Sequence, residues 1–118
     1  MKSSIISSIK QLNKSLINIK LPIINNIIEY QNEIITNNDI VNIKQYINKL
    51  ANDRMKIKKL IQKFERSIME IDKLTVNKKI NKELIKTREQ NSDILYDLHH
   101  ANDQIKITLK NIINTILY

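Results

Sequence analysis

The chain has 118 residues, no Gly, no Cys and a single Pro, and its formal net charge is +8. Because Gly and Pro are the usual residues of tight turns, this composition argues against a sheet protein with many short connections. The absence of Cys excludes disulfides and thiolate metal sites. Ile, Asn and Lys supply half of the residues, a bias that we attribute to an AT-rich genome.

The first segment, about residues 3–36, repeats apolar residues at steps of three and four, which is typical of an amphipathic helix. Its seam consists of Ile5, Ile9, Leu12, Leu16, Ile19, Ile23, Ile27, Tyr30 and Ile34. Pro22 lies inside this repeat, and an interior Pro costs a helix about 3 kcal/mol. We therefore expect a kink or a short break near residues 18–21.

The middle segment, about residues 39–75, has the most regular seam, with steps that alternate between four and three. Its positions are Ile43, Ile47, Leu50, Arg54, Ile57, Ile61, Phe64, Ile68 and Ile71. This pattern predicts one long helix with a coiled-coil seam, capped by Asp39. Arg54 interrupts the seam, and we expect it to pair with a carboxylate of another helix or to extend to solvent; a role in fixing the register is the alternative.

The last segment, about residues 79–117, is also predicted to be a helix, preceded by a turn near residues 76–79 that contains Asn77. Its two seam lines are Leu84, Asn91, Leu98, Ile105, Ile112 and Arg88, Leu95, Asn102, Leu109, Ile116. Asn91 and Asn102 weaken this seam because a buried amide needs hydrogen-bond partners. Either they fix the register or the face stays open for a partner.

The sequence therefore predicts one all-α domain of three long amphipathic helices. Short connections make neighbouring helices antiparallel, so the helices form either an antiparallel coiled-coil-like bundle or a helical hairpin with a third arm. A chain of this size buries a modest core, and so thin a bundle often completes its burial against a partner.

The positive charge is concentrated on the middle helix, because residues 43–79 carry a net +7 and the last third is neutral. The cations are Lys56, Lys58, Lys59, Lys63 and Arg66. Such a face could follow a phosphate backbone, or it could be an ordinary solvated face in a Lys-rich protein. We favour the second interpretation, since the chain has no Trp and one Phe for base stacking.

No arrangement of residues points to catalysis. His99 and His100 are adjacent, and adjacent helical residues point about 100° apart, which does not suit a shared metal ion. No Gly-rich phosphate loop, nucleophile elbow or convergent carboxylate pair is present. We expect a non-enzymatic protein without a cofactor, metal ion or small-molecule ligand. It shows no signal peptide and no apolar stretch long enough to span a bilayer, which predicts a cytoplasmic location.

Three stretches together resemble a known family, namely EYQNEIITNNDIVNI, LIQKFERSIMEI and ILYDLHHANDQIKITLKNIINTIL. Their order and spacing are similar to those of the FlgN-type flagellar export chaperones. In that family the second helix carries a Leu-Glu-x-x-Arg-like step, near which Phe64-Glu65-Arg66 stands here. The third helix carries Leu-Asn-x-x-Asn, which Leu98, His99 and Asn102 resemble, followed by apolar steps that Ile105, Leu109 and Ile112 match.

The resemblance implies a cytoplasmic chaperone that binds the C-terminal helices of hook-associated proteins and delivers them to the membrane export apparatus. The implied client surface is the third helix, with Leu95, Leu98, Asn102, Ile105, Leu109 and Ile112, which Ile113 and Ile116 could extend. An amphipathic client helix would lie in this apolar groove. The double substitution Leu98→Asp with Ile105→Asp is then expected to abolish client binding while the first two helices stay folded.

Two other functions remain open. The chain could be a structural coiled-coil subunit of a larger assembly, and a fainter similarity to snapin-like trafficking subunits around YINKLANDRMKIKKLIQKFERSIMEI fits a trafficking or tethering complex. It could also be a basic nucleic-acid binder, which is the least favoured. The first predicts a stable oligomer, and the second predicts an affinity that falls steeply with salt.

Overall fold

A computed structural model describes residues 2–37, 40–76 and 82–117 of the chain. Within these residues the regular structure is entirely helical, which confirms the all-α class. The helices are α1 (Lys2–Leu16), α2 (Pro22–Asn37), α3 (Ile40–Val76) and α4 (Lys82–Leu117). The expected cap Asp39 and the expected turn residue Asn77 both lie outside the described residues.

The segment predicted as a single first helix is two helices, because the chain breaks at the position where Pro22 forbids continuation. Pro22 is the first residue of α2, where its missing N–H removes no helical bond and its fixed φ favours the helix. The turn is closed by the Ile19 amide, which donates to the Leu16 carbonyl at 2.9 Å, and by the Ile24 amide, which donates to the Leu21 carbonyl at 3.0 Å. The expected break is therefore present and complete.

This break also changes which residues of α2 face the core. The uninterrupted seam predicted Ile23 and Tyr30 inside, but the structure buries Ile24 and Gln31 and leaves Ile23 and Tyr30 half-buried. A new helix begins after the turn, so its phase is independent of α1. The seam predicted across the break was wrong by one residue at these two positions.

Helices α3 and α4 form a long antiparallel hairpin. Three contacts join the two helices: Arg54 of α3 contacts Asn102 of α4, Ser67 contacts Asn91, and Asp72 contacts Arg88. The partner number falls as the α3 number rises, which is the signature of antiparallel helices. At 1.5 Å per residue, the 37 residues of α3 extend about 55 Å, which matches the longest dimension of the molecule, 58 Å.

Helices α1 and α2 cover only one half of this hairpin. Helix α1 packs against α2 and α4, and α2 packs against α3. The buried core contains residues of α3 up to Ile61 and of α4 from Leu98 onward. We call this half the body (α1, α2, 40–61 and 98–117) and the remaining two-helix half the arm (62–76 and 82–97).

Candidate partner-binding site

The client surface predicted on the third helix lies largely inside the body. Leu98, Ile105 and Ile112 are fully buried, and Leu109 is 9 % exposed. The cause is the break at Pro22, which produces two short helices where one long helix was expected and lets α1 pack directly on α4. In this conformation a client helix could reach only the half-buried Leu95 and Asn102 of the predicted set.

The two Asn residues that weaken the α4 seam are both bonded to α3. Arg54 donates from Nε to the Asn102 Oδ1 at 3.1 Å, and Asn91 donates from Nδ2 to the Ser67 Oγ at 3.0 Å. Arg54 thus pairs with an amide of another helix, where a carboxylate was expected. These cross-helix bonds favour the register interpretation of the Asn residues.

A line of residues along α3 shows where the covering layer ends. Tyr46, Asp53, Leu60, Ser67 and Leu74 follow one another at heptad spacing, so they lie on one side of the helix. Tyr46 is 1 % exposed and Asp53 is 4 % exposed, and both lie beside α2. Leu60 and Ser67 are half-buried, and Leu74 is 48 % exposed. The side of α3 that α2 covers in the body is therefore progressively uncovered along the arm.

Helix α4 shows the same gradient on the side that α1 covers. Thr108 and Ala101 are buried in the body, whereas Ile94 is half-buried and Thr87 is exposed. Ser15 of α1 bonds to Gln104 on this side of α4 at 3.3 Å. We call Ser67 and Leu74 of α3, together with Thr87 and Ile94 of α4, the uncovered face of the arm.

Cations border the uncovered face on the α3 side. Lys59, Lys63 and Arg66 line an open groove of about 340 Å³ together with Gln62, Ser67 and Glu70. All three cations are exposed, and among the described residues none of them forms an ion pair. We call these three residues the basic flank.

Carboxylates border the same face on the α4 side. Asp97 follows Ile94 by three positions and Asp93 precedes Asp97 by four, which places the two carboxylates on one side of the helix. Asp93 is exposed and Asp97 half-buried, and neither forms an ion pair within the described part of the chain. We call this pair the acidic flank; Lys86 lies nearby and reduces its charge without reversing it.

Two polar contacts join α3 and α4 along the arm and at its boundary with the body, in addition to the buried Ile71 and the half-buried Phe64 and Ile68. Arg88 Nε and Asp72 Oδ1 lie 2.6 Å apart, and His99 Nε2 lies 3.6 Å from Glu65 Oε1. The bond from Arg88 lowers the pKa of Asp72 below its ordinary value and raises that of Arg88. The arm therefore fixes its own register without a fully apolar interior.

The body contains a polar cluster that the sequence pattern did not reveal. Gln31 is fully buried beside Tyr46, yet among the described residues neither side chain forms a well-made hydrogen bond. Burial raises the pKa of Tyr46 above its ordinary value. Burial also raises the pKa of Asp53, against the opposing effect of Lys56, whose Nζ lies 3.7 Å from the Asp53 Oδ1.

A cation–π contact joins α3 to α2, because the Lys49 Nζ lies 4.7 Å from the centre of the Tyr30 ring.

Two further searches of the described residues gave no site. No group of three or more His, Cys, Asp or Glu side chains is placed to hold a metal ion there. Among the helices described, none is both long and apolar enough to cross a bilayer.

Comparisons with known proteins do not identify the chain. No family model matches it, and no curated protein or solved structure shows a significant match. The resemblance to flagellar export chaperones therefore depends on the quoted sequence stretches alone.

Proposed function

We propose that the chain is a non-enzymatic, cytoplasmic binding protein that takes up amphipathic helices on the uncovered face of its arm. The observation that supports this proposal is the exposure gradient along α3 from Tyr46 to Leu74. Within the described part of the chain, this line of positions is covered by a helix in the body and by no helix in the arm. Helices α1 and α2 show which kind of ligand such a line accepts, namely a short helix with an Ile- and Leu-rich stripe.

The resemblance supplies the specific form of this proposal. A flagellar export chaperone would hold the C-terminal helices of hook-associated proteins and pass them to the export apparatus. The client surface moves from the third-helix set predicted above to the arm, because α1 already occupies that set in the body. Helix-in-groove recognition needs only apolar anchors at helical spacing and a polar border, and the arm has both.

The test is light scattering after size exclusion, with and without a peptide covering the C-terminal helix of a hook-associated protein. We expect a one-to-one complex with the intact chain. Leu74→Asp, on the uncovered face, should weaken peptide binding at least tenfold. Ile107→Asp is the matched control, because Ile107 is 52 % exposed but lies on the body, and it should leave binding unchanged.

Two results would contradict the proposal. Equal loss of binding in both variants would place the client elsewhere, and no binding by the intact chain would remove the chaperone function. In the second case a structural coiled-coil subunit becomes the better description. An affinity for nucleic acid that falls steeply with salt would instead favour the third function.

A further inference from the structure

The two covering helices of the body carry opposite charges. Helix α2, which packs on α3, contains Glu29 and Glu33 and no Lys or Arg. Helix α1, which packs on α4, contains three Lys and no acidic residue. The body therefore places its acidic covering helix on α3, the helix in which the positive charge of the chain is concentrated.

A line of lysines on α3 extends from the body into the arm. Lys49, Lys56 and Lys63 follow one another at heptad spacing, so they lie on one side of the helix. In the body Lys49 reaches α2 through its contact with the Tyr30 ring. Lys63 repeats the position of Lys49 two heptads further on, where none of the described helices lies beside it. A helix that takes the equivalent place in the arm therefore meets Lys63.

The rest of the basic flank adds to the charge at this place. Lys59 and Arg66 line the open groove together with Lys63, and Glu70 reduces its positive charge without cancelling it. The three cations are exposed and form no ion pair within the described residues. Carboxylates on a bound helix would supply partners for them, whereas cations would be repelled.

The place beside α4 has the opposite preference. Asp97 stands one heptad before Gln104, and Gln104 bonds to Ser15 of the covering helix α1 in the body. A helix beside α4 in the arm would therefore meet the acidic flank. An acidic helix is attracted to one side of the arm and repelled by the other, so the charges select the side along α3.

We propose that the helix taken up by the arm is an acidic amphipathic helix, which lies along α3 as α2 does in the body. The arm segment of α3, residues 62–76, has 15 residues and is about 22 Å long, which sets the length of the bound helix. Its Ile- and Leu-rich stripe packs on Leu74, and the Glu or Asp residues that border the stripe face Lys63 and Arg66. This inference rests on the proposed function, to which it adds the chemistry of the partner.

The test is calorimetric titration of the full chain with three designed helical peptides of 16 residues, the length of α2. All three share one Ile- and Leu-rich stripe, and the positions that border it are Glu in the first, Gln in the second and Lys in the third. The Glu peptide should bind about tenfold more tightly than the Gln peptide, because several exposed ion pairs each contribute modestly, and the Lys peptide should bind most weakly. Added salt should reduce the difference, since the basic flank is exposed.

Charge reversal on the protein locates the effect. Lys63→Glu with Arg66→Glu should invert the order, so that the Lys peptide binds most tightly. The matched control is Lys106→Glu with Lys110→Glu, which changes the net charge equally at two exposed cations of the body and should preserve the order. If the control inverted the order as well, the overall charge and not the basic flank would select the peptide, and the proposal would be overturned.

The partner chemistry and the helix-binding function can fail separately. Equal affinity for the three peptides would overturn the acidic preference and keep the helix-binding function. Absence of binding by all three would overturn both. If a DNA oligonucleotide then bound the intact chain but not the Lys63→Glu with Arg66→Glu variant, the basic flank would be a phosphate-binding surface.

Discussion

The body and the arm share helices α3 and α4, but among the helices described a second pair covers them in the body alone. In the body most buried side chains are apolar, among them Ile43 and Ile57 on α3 and Leu98 and Ile112 on α4, and the buried polar residues Gln31, Asp53 and Thr108 also lie there. In the arm the same two helices meet through the buried Ile71 and through two polar pairs, Asn91 with Ser67 and Arg88 with Asp72. The body buries more apolar side chains than the arm, and we therefore expect it to contribute most of the stability.

This difference teaches that a continuous heptad pattern does not reveal how many helices surround it. The seam of α3 runs from Ile43 to Ile71 with hardly an interruption, yet its environment changes near Ile61. Because most helical stability in proteins comes from packing an apolar face, we expect the arm to open more readily than the body. The following four predictions test that contrast, beginning with the largest effect.

The largest effect is expected from two charges placed in the body core. Leu98→Asp with Ile105→Asp should unfold the whole domain, because both positions are fully buried and an unpaired buried charge costs several kcal/mol. Leu74→Asp with Ile85→Asp, two exposed sites of the arm, should leave the protein folded. Far-UV circular dichroism and thermal melting distinguish these outcomes. If the body pair stayed folded, its residues would belong to an accessible groove and the buried core would be incorrect.

A smaller contrast is expected from single truncations. Ile57→Ala removes a fully buried side chain and should lower the free energy of unfolding by about 3 kcal/mol. Leu84→Ala removes a half-buried side chain of the arm and should lower it by about 1 kcal/mol. Urea denaturation measures both values. Equal losses would mean that the arm is packed as well as the body, for example by a second copy at the concentration used.

A substitution of the buried Gln31 is expected to increase the stability of the protein, whereas most core substitutions decrease it. Gln31→Leu should raise the free energy of unfolding by about 1 kcal/mol, because it replaces a buried amide that lacks good partners with an apolar group of similar volume. Asn91→Leu in the arm is the control and should give no comparable gain, since it breaks the bond to Ser67. A loss of stability in Gln31→Leu would show that the amide is hydrogen-bonded in solution.

One carboxylate of the body and one of the arm should contribute to stability with opposite pH dependence. Burial raises the pKa of Asp53, so its contribution is present below the ordinary carboxyl pKa and is lost as pH rises through the raised value. Arg88 lowers the pKa of Asp72, so that contribution is present above the ordinary pKa and is lost as pH falls through the lowered value.

At neutral pH Asp53→Asn should therefore stabilise the protein, by less than about 1 kcal/mol, and Asp72→Asn should weaken it slightly. Both differences should vanish at acid pH, where the wild-type carboxyls are protonated. Unfolding free energies measured across the acid range check this prediction. Differences of the same sign in the two variants would contradict the assigned environments.

Much of the secondary structure could be predicted from the sequence because helical periodicity is a local property. Helices α3 and α4 begin and end within three residues of the predicted 39–75 and 79–117, and the break before Pro22 follows from the missing N–H of proline. The burial of Gln31 could not be predicted, since the phase of α2 is set only after the turn. Asp53 and Tyr46 were missed because they lie on the side of α3 that only a neighbouring helix makes buried.

The sequence by itself determined that this protein is helical, where Pro22 interrupts it, and where its positive charge is concentrated. Only the tertiary structure decided which apolar stripes are already occupied. The seam of α4 contains similar apolar residues in both halves, but Leu98 and Ile105 of the body are fully buried, whereas Leu84 and Leu95 of the arm are half-buried. Two helices of 15 and 16 residues cannot span a hairpin of more than twice their length, and the uncovered remainder is the surface we assign to binding.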